Sequence, residues 1–119
     1  VPDDEVWLLT LSAAAQWSVL STQGSRPSVR SGHSLVYDAR RDRLLLYGGS
    51  NLDDLWSLSL GETPPKWTML APGNPTPGPH TSHTAFYDEA RDRMLVFGRL
   101  ADSIEVWELS PSTPPAWRR

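Results

Sequence analysis

The chain has 119 residues and a formal net charge of −3, with eight glycines, eleven prolines and no cysteine. That length suits one ordinary domain, and without cysteine there is no disulfide framework, zinc ribbon or thiol nucleophile. Its eleven basic residues are scattered and outnumbered by fourteen acids, which leaves no electrostatic footprint for a nucleic acid backbone; no apolar run approaches the roughly 18–20 residues of a membrane span.

The chain opens on Val1-Pro2-Asp3-Asp4-Glu5, which has neither an initiator Met nor a signal-peptide core. A cut point in a longer chain is expected there. Missing cysteine suits any redox compartment, so localisation stays open. Val6 to Leu11 reads as a short strand rich in β-formers. Ser12 to Ala15 reads as a turn, because few residues separate it from the next strand. Gln16 to Leu20 alternates polar and apolar, as a half-buried strand does. Ser21 to Val29 holds Gly24 and Pro27 and is a surface loop.

Ser34 to Tyr37 is the next strand, followed by the charged turn Asp38-Ala39-Arg40-Arg41-Asp42-Arg43. Aspartate opens such turns because its carboxylate bonds backbone N–H groups ahead of it. Leu44 to Tyr47 is apolar throughout, the signature of a strand buried on both faces. Gly48-Gly49 is read as its end, where positive φ and close backbone approach are needed. Leu55 to Leu60 and Lys66 to Leu70 are the following strands, joined by a turn stiffened at Pro64-Pro65. Ala71 to Pro79 is a second loop, too poor in apolar residues for a core element.

The same residue types then return. His83, Tyr87, Asp88, Arg91, Asp92 and Arg93 lie fifty positions after His33, Tyr37, Asp38, Arg41, Asp42 and Arg43. Gly98 follows Gly48 at that interval, and Trp117 follows Trp67. Trp107 follows Trp56 at fifty-one, so one residue is inserted between. Backwards, Trp7 and Trp17 stand forty-nine and fifty before Trp56 and Trp67. A period of about 50 residues with four short strands per unit signals a β-propeller blade.

The pattern resembles the kelch repeat: an Arg-Ser-Gly-His opening at Arg30, Tyr37-Asp38 before the turn, Asp42-Arg43-Leu44-Leu45-Leu46-Tyr47-Gly48-Gly49, then Trp56 and Trp67. The resemblance covers nearly the whole chain. It implies an all-β fold of four-stranded antiparallel blades in an incomplete ring. Residues 1–20 would be the third and fourth strands of a first blade, 30–70 a complete blade and 80–117 another. That is roughly two and a half blades, whereas closed propellers have about four to eight. The remaining blades of the full-length chain are therefore expected partners of this piece. The second copy departs from the pattern at Arg99, which replaces the second glycine, and at Pro79-His80-Thr81-Ser82. The loop after Gly98 is expected to take a different path.

The resemblance also implies that each first strand lines the central channel and each fourth strand is outermost. The repeated residues then have structural duties. Trp56, Trp67, Trp107 and Trp117 fill the space between blades. His33 and His83 are hydrogen-bonded histidines at the start of the inner strands; neither has the second His or Cys of a metal site nearby. Asp38 with Asp42, and Asp88 with Asp92, cap turns and pair with arginines. They are too few, without the glycine of a binding loop, for calcium. Tyr37, Tyr87, Gly48, Gly49 and Gly98 complete the structural set. His80 is unrepeated and is expected to be exposed at the loop mouth. No phosphate loop, Gly-x-Ser-x-Gly elbow or His-Glu-x-x-His motif occurs, so no catalytic, cofactor or metal residue is assigned.

By the same resemblance the expected function is a protein-interaction scaffold. Its partner surface would lie on the loops from strand four to one and from strand two to three. These are Ser21 to Arg30, Ser50 to Asp54, Ala71 to Ser82 and Arg99 to Ser103. The candidate partner-facing residues are Arg30, Ser50, Asn51, Asp53, His80, Arg99 and Asp102. Two alternatives compete. One is the non-catalytic part of an enzyme propeller similar to galactose oxidase, whose copper site needs a cysteine that this stretch lacks. The other is a carbohydrate-binding propeller, disfavoured because every tryptophan falls in a strand.

Overall fold

The computed structural model describes residues 4–100 and 102–119, with Leu100 described by its backbone alone. Residues 1–3, read above as a cut point, and residue 101 lie outside the described residues. The described chain is all-β. Its ten strands are β1 (Val6–Thr10), β2 (Gln16–Leu20), β3 (Ser34–Asp38), β4 (Arg43–Gly49), β5 (Leu52–Ser59), β6 (Lys66–Leu70), β7 (Thr84–Asp88), β8 (Arg93–Leu100), β9 (Ser103–Ser110) and β10 (Ala116–Arg118). They form a two-stranded sheet, β1-β2, and two four-stranded meanders, β3-β4-β5-β6 and β7-β8-β9-β10. All pairings between strands are antiparallel. The sheets are kelch blades arranged as part of a ring.

Local chemistry explains the strands. In β3, Ser34, Val36 and Asp38 are buried while Leu35 and Tyr37 face outward, the period of two that pleating dictates. In β4 the run Leu45-Leu46-Tyr47 is buried throughout, because a sheet inside a stack has no solvent face. The turn between them puts Asp42 at φ 48°, and its counterpart Asp92 adopts 52°. Aspartate tolerates that left-handed conformation better than most residues, because its short side chain can bond locally.

Two apolar clusters join the blades. Val36, Leu45, Tyr47 and Leu55 of the first complete blade meet Met94, Val96, Trp107, Leu109 and Trp117 of the second. On the other face of the first complete blade, Leu46, Trp56, Leu58 and Trp67 form a cluster that Val6 of β1 packs against. Each tryptophan pair therefore points toward the preceding blade. Trp56, Trp67, Trp107 and Trp117 are 4–8% exposed. Trp7 and Trp17 hold the same register positions but remain 53% and 65% exposed.

The glycine doublet ends its strand, as its sequence suggests. Gly48 (φ 65°) and Gly49 (φ 87°) are the last two residues of β4, and the register with β5 slips between Tyr47 and Gly49. Gly48 alone faces two residues of β5, Asp53 and Asp54, so the extra residue lies on β5, and the left-handed backbone opposite it falls on glycines, where it costs least. β5 accordingly begins at Leu52, three residues earlier than its apolar pattern suggests. In the second complete blade the ladder from Met94 to Leu100 is unbroken. Eight residues separate Phe97 from Val106, against seven between Tyr47 and Leu55. The inserted residue removes the bulge, and with it the need for a second glycine at Arg99.

Candidate binding face at the loop mouth

The loops entering strand one and the turns between strands two and three lie at the same end of the blades. Backbone hydrogen bonds stitch them together. Ser50 N–H donates to the Ser31 carbonyl at 2.9 Å, and Gly49 N–H to the His80 carbonyl at 2.9 Å. His80 N–H donates to the Leu52 carbonyl at 3.3 Å, and Ser82 N–H to Gly32 at 3.1 Å. The Thr81 hydroxyl accepts from Asn51 N–H at 2.8 Å. Tyr47, fully buried, reaches under this rim and donates its hydroxyl proton to the Gly78 carbonyl at 2.7 Å. Burial holds the Tyr47 phenol well above its ordinary range. The rim is thus continuous across the two complete blades and anchored from below.

Above it stand Ser50, Asn51 and Asp53, all exposed, and on the next blade Arg99 and Asp102, also exposed. Ser50 and Asn51 both have positive φ, 48° and 62°, which closes the turn in two residues.

Arg30 and His80 are corrections to the sequence reading. The Arg30 side chain is only 3% exposed. It pairs with both carboxylate oxygens of Asp54, the second at 2.8 Å, and donates to the Gly48 carbonyl at 3.1 Å. Asp54 also accepts the indole N–H of Trp56 at 2.6 Å. Burial raises the Asp54 pKa, but the Arg30 and Trp56 hydrogen bonds outweigh it and hold the carboxyl below its usual value. Arg30 thus ties the mouth to the blade. His80 takes the corresponding place in the next blade and is 6% exposed. Its ring covers Gly98, where an added Cβ would come within 2.7 Å of Nε2. There Trp107 donates to Glu105 at 3.0 Å, and the cation beside that carboxylate is Arg119, at 2.6 Å. Arg119 thus stands beside this carboxylate as Arg30 does beside Asp54, and no local motif announces it.

The repeated residues do structural work. Fully buried Asp38 accepts the Arg41 backbone N–H at 3.3 Å and the Arg43 guanidinium at 3.0 Å. His83 Nε2 lies 2.8 Å from the Ser34 hydroxyl of the neighbouring blade. Burial, then the neighbouring His80, push the His83 pKa down. Arg41 crosses the same seam to both oxygens of Asp92, each at 2.9 Å, and Tyr87 donates its hydroxyl proton to that carboxylate. These bonds hold Asp92 far below the usual carboxylate range. Among the described residues, no group of three or more His, Cys, Asp or Glu is placed to hold a metal ion.

Four-stranded blades stacked through repeated tryptophans, with a bulge opposite Gly48 beside the mouth, define a kelch-repeat propeller. A model of the KLHDC2/KLHL20/DRC7 Kelch-repeats domain matches residues 1–111, and the chain belongs to that family. Domains of this kind are generally non-catalytic.

Proposed function

We propose that the chain is part of a protein-interaction scaffold whose partner meets the loop mouth. One observation carries this reading. The rim is rigidly tied by backbone bonds across blades, yet Asn51, Asp53 and Asp102 are exposed on it. Fixed loops bearing exposed polar side chains lose little entropy on binding. The rim is also where the two copies differ most: Ser50-Asn51-Leu52-Asp53-Asp54 corresponds to Leu100-Ala101-Asp102-Ser103-Ile104-Glu105, while the strands keep their residue types. Packing constrains the strands, and recognition leaves the loops free to vary.

The test places a photoactivatable cross-linker at Asp53 in the intact protein, and a control cross-linker at Arg118 on the outermost strand. A protein partner trapped from Asp53, lost in the Asn51→Arg/Asp53→Arg variant at unchanged melting temperature, is the expected result. Trapping that is equal from both positions, or that survives the double substitution, rejects the mouth as the partner surface.

A further inference from the structure

We propose that His80 and His83 form a proton-operated latch, which holds the mouth turn at residues 49–52 in place at neutral pH and releases it in acid. The latch is a difference between the two copies. Arg30 ties the mouth of the first complete blade with a guanidinium that stays charged at any physiological pH. His80 takes that place in the second, and imidazole is the side chain whose charge changes between about pH 5 and 8. The His80 backbone is the pin. Its carbonyl accepts Gly49 N–H at 2.9 Å, and its N–H donates to the Leu52 carbonyl at 3.3 Å. Both bonds cross to the turn between β4 and β5, which bears the exposed Asn51. That turn is therefore held only while His80 stays seated.

The seat suits neutral rings. Each lies against one of the repeated glycines: His80 covers Gly98, and a Cβ added at Gly48 would come within 3.0 Å of the His83 Cε1. The two ring centroids are 6.1 Å apart. His83 Nε2 is engaged with the Ser34 hydroxyl, and its ring stands edge-on to Tyr47 at 5.3 Å. His80 Nε2 and His83 Nδ1 are buried with no hydrogen-bond partner among the described residues. A ring nitrogen without a partner is tolerated while it carries no proton. Protonation makes it a buried donor with nothing to receive its hydrogen.

The buried carboxylates around the pair are already taken. Glu105, across the ladder from Gly98, receives Trp107 and Arg119. Asp54, on the first complete blade, receives Arg30 and Trp56. Asp53 is exposed, where solvent and salt screen it. Burial keeps the Tyr47 phenol neutral. The remaining groups, His33 and the Arg99 that follows Gly98 in β8, are bases. Burial is the largest cause of the lowered His83 pKa, followed by His80; the Tyr47 backbone pulls upward less strongly, and His33 lowers it a little more. His83 therefore binds a proton better once released. The latch is held above about pH 6.5 and weakens as the pH falls toward the value of the seated ring.

The test follows amide hydrogen exchange in the intact protein from about pH 7 to about pH 5, corrected for the intrinsic rate. Protection of the Gly49 amide should fall on the order of tenfold over that range. The Leu60 amide, bonded to the Asp42 carbonyl at the opposite end of the blade, should keep its protection. In His80→Gln/His83→Gln the Gly49 profile should be flat, and in His80→Arg, which copies the first complete blade, it should be shallower. A Gly49 profile that is flat in the wild type, that falls in step with Leu60, or that is unchanged in the variants overturns the proposal. Release of the turn would also free a partner held at the mouth, a consequence that rests on the mouth being the partner surface, so trapping from Asp53 should fall with the pH. The exchange measurement needs no partner. If Gly49 responds to pH as expected while Asp53 traps nothing at any pH, the latch is upheld and it is the partner reading that fails.

Discussion

Ser82 stands where the first copy has Gly32, and both adopt left-handed backbone, φ 61° and 68°. The position is crowded: a Cβ on Gly32 would come within 2.9 Å of the Thr81 side chain. Left-handed φ costs an ordinary L-residue roughly 1–2 kcal/mol, part of which glycine returns as chain entropy. Ser82→Gly is therefore expected to stabilise the chain by roughly 0.5–1 kcal/mol in urea unfolding. An unchanged or lower midpoint would show that the serine makes a contact worth as much as the strain. Asp38 is the opposite case, a buried carboxylate shared by Arg41 and Arg43. Asp38→Ala leaves those donors short of an acceptor and should cost roughly 1.5–3 kcal/mol. A near-native melt would remove Asp38 from the structural set.

At the scale of strands and turns, the repeat interval carried most of the information. Strand positions, the charged turns and the inward tryptophans are legible because each is a local pattern seen twice. The bulge opposite Gly48 was legible only in part. The glycines signalled positive φ and the strand end, but only the register shows that two residues of β5, Asp53 and Asp54, face Gly48. Arg30 and His80 were misread as surface residues because burial across a seam depends on what the next blade brings, and no local spacing encodes it. The Arg41–Asp92 clamp was hidden for the same reason, its partners lying fifty-one residues apart. The seam also sets a pH dependence. Burial, then Arg30, lower the His33 pKa; burial, then His80, lower that of His83. A histidine with a depressed folded pKa binds protons better when unfolded. Stability is therefore full above the unfolded value of about 6.5 and falls as the pH drops toward the folded value. The urea midpoint should decline from about pH 7 to about pH 5, and less steeply in His83→Gln. A flat wild-type profile over that range would contradict the lowered pKa of these rings.

For the whole molecule, stacking is the organising force, and the two ends show what it leaves undone. Trp107 lies inside a seam, 8% exposed, and Trp107→Ala should cost roughly 3–5 kcal/mol. Trp7, 53% exposed, should change stability by no more than about 0.5 kcal/mol when replaced by alanine. Yet Trp7 belongs to an apolar face with Trp17 and Val19, respectively 65% and 49% exposed. The far face of the last blade presents Phe86, Val106 and Ile104, which are 47%, 43% and 79% exposed. Blade faces of these two kinds are the ones that meet within the chain, so each end is built to be covered. A repeat array whose terminal faces lack polar caps is prone to associate. The 119-residue polypeptide, handled alone, is therefore expected to elute from size exclusion as oligomers or aggregates, with a light-scattering mass above 13.3 kDa that rises with concentration. Trp17→Lys and Ile104→Glu, one charge on each face, should shift it toward the monomer without lowering the thermal midpoint, since neither side chain is buried. A wild-type chain that stays at 13.3 kDa over the whole concentration range, with a sharp thermal transition, would show that these faces do not associate.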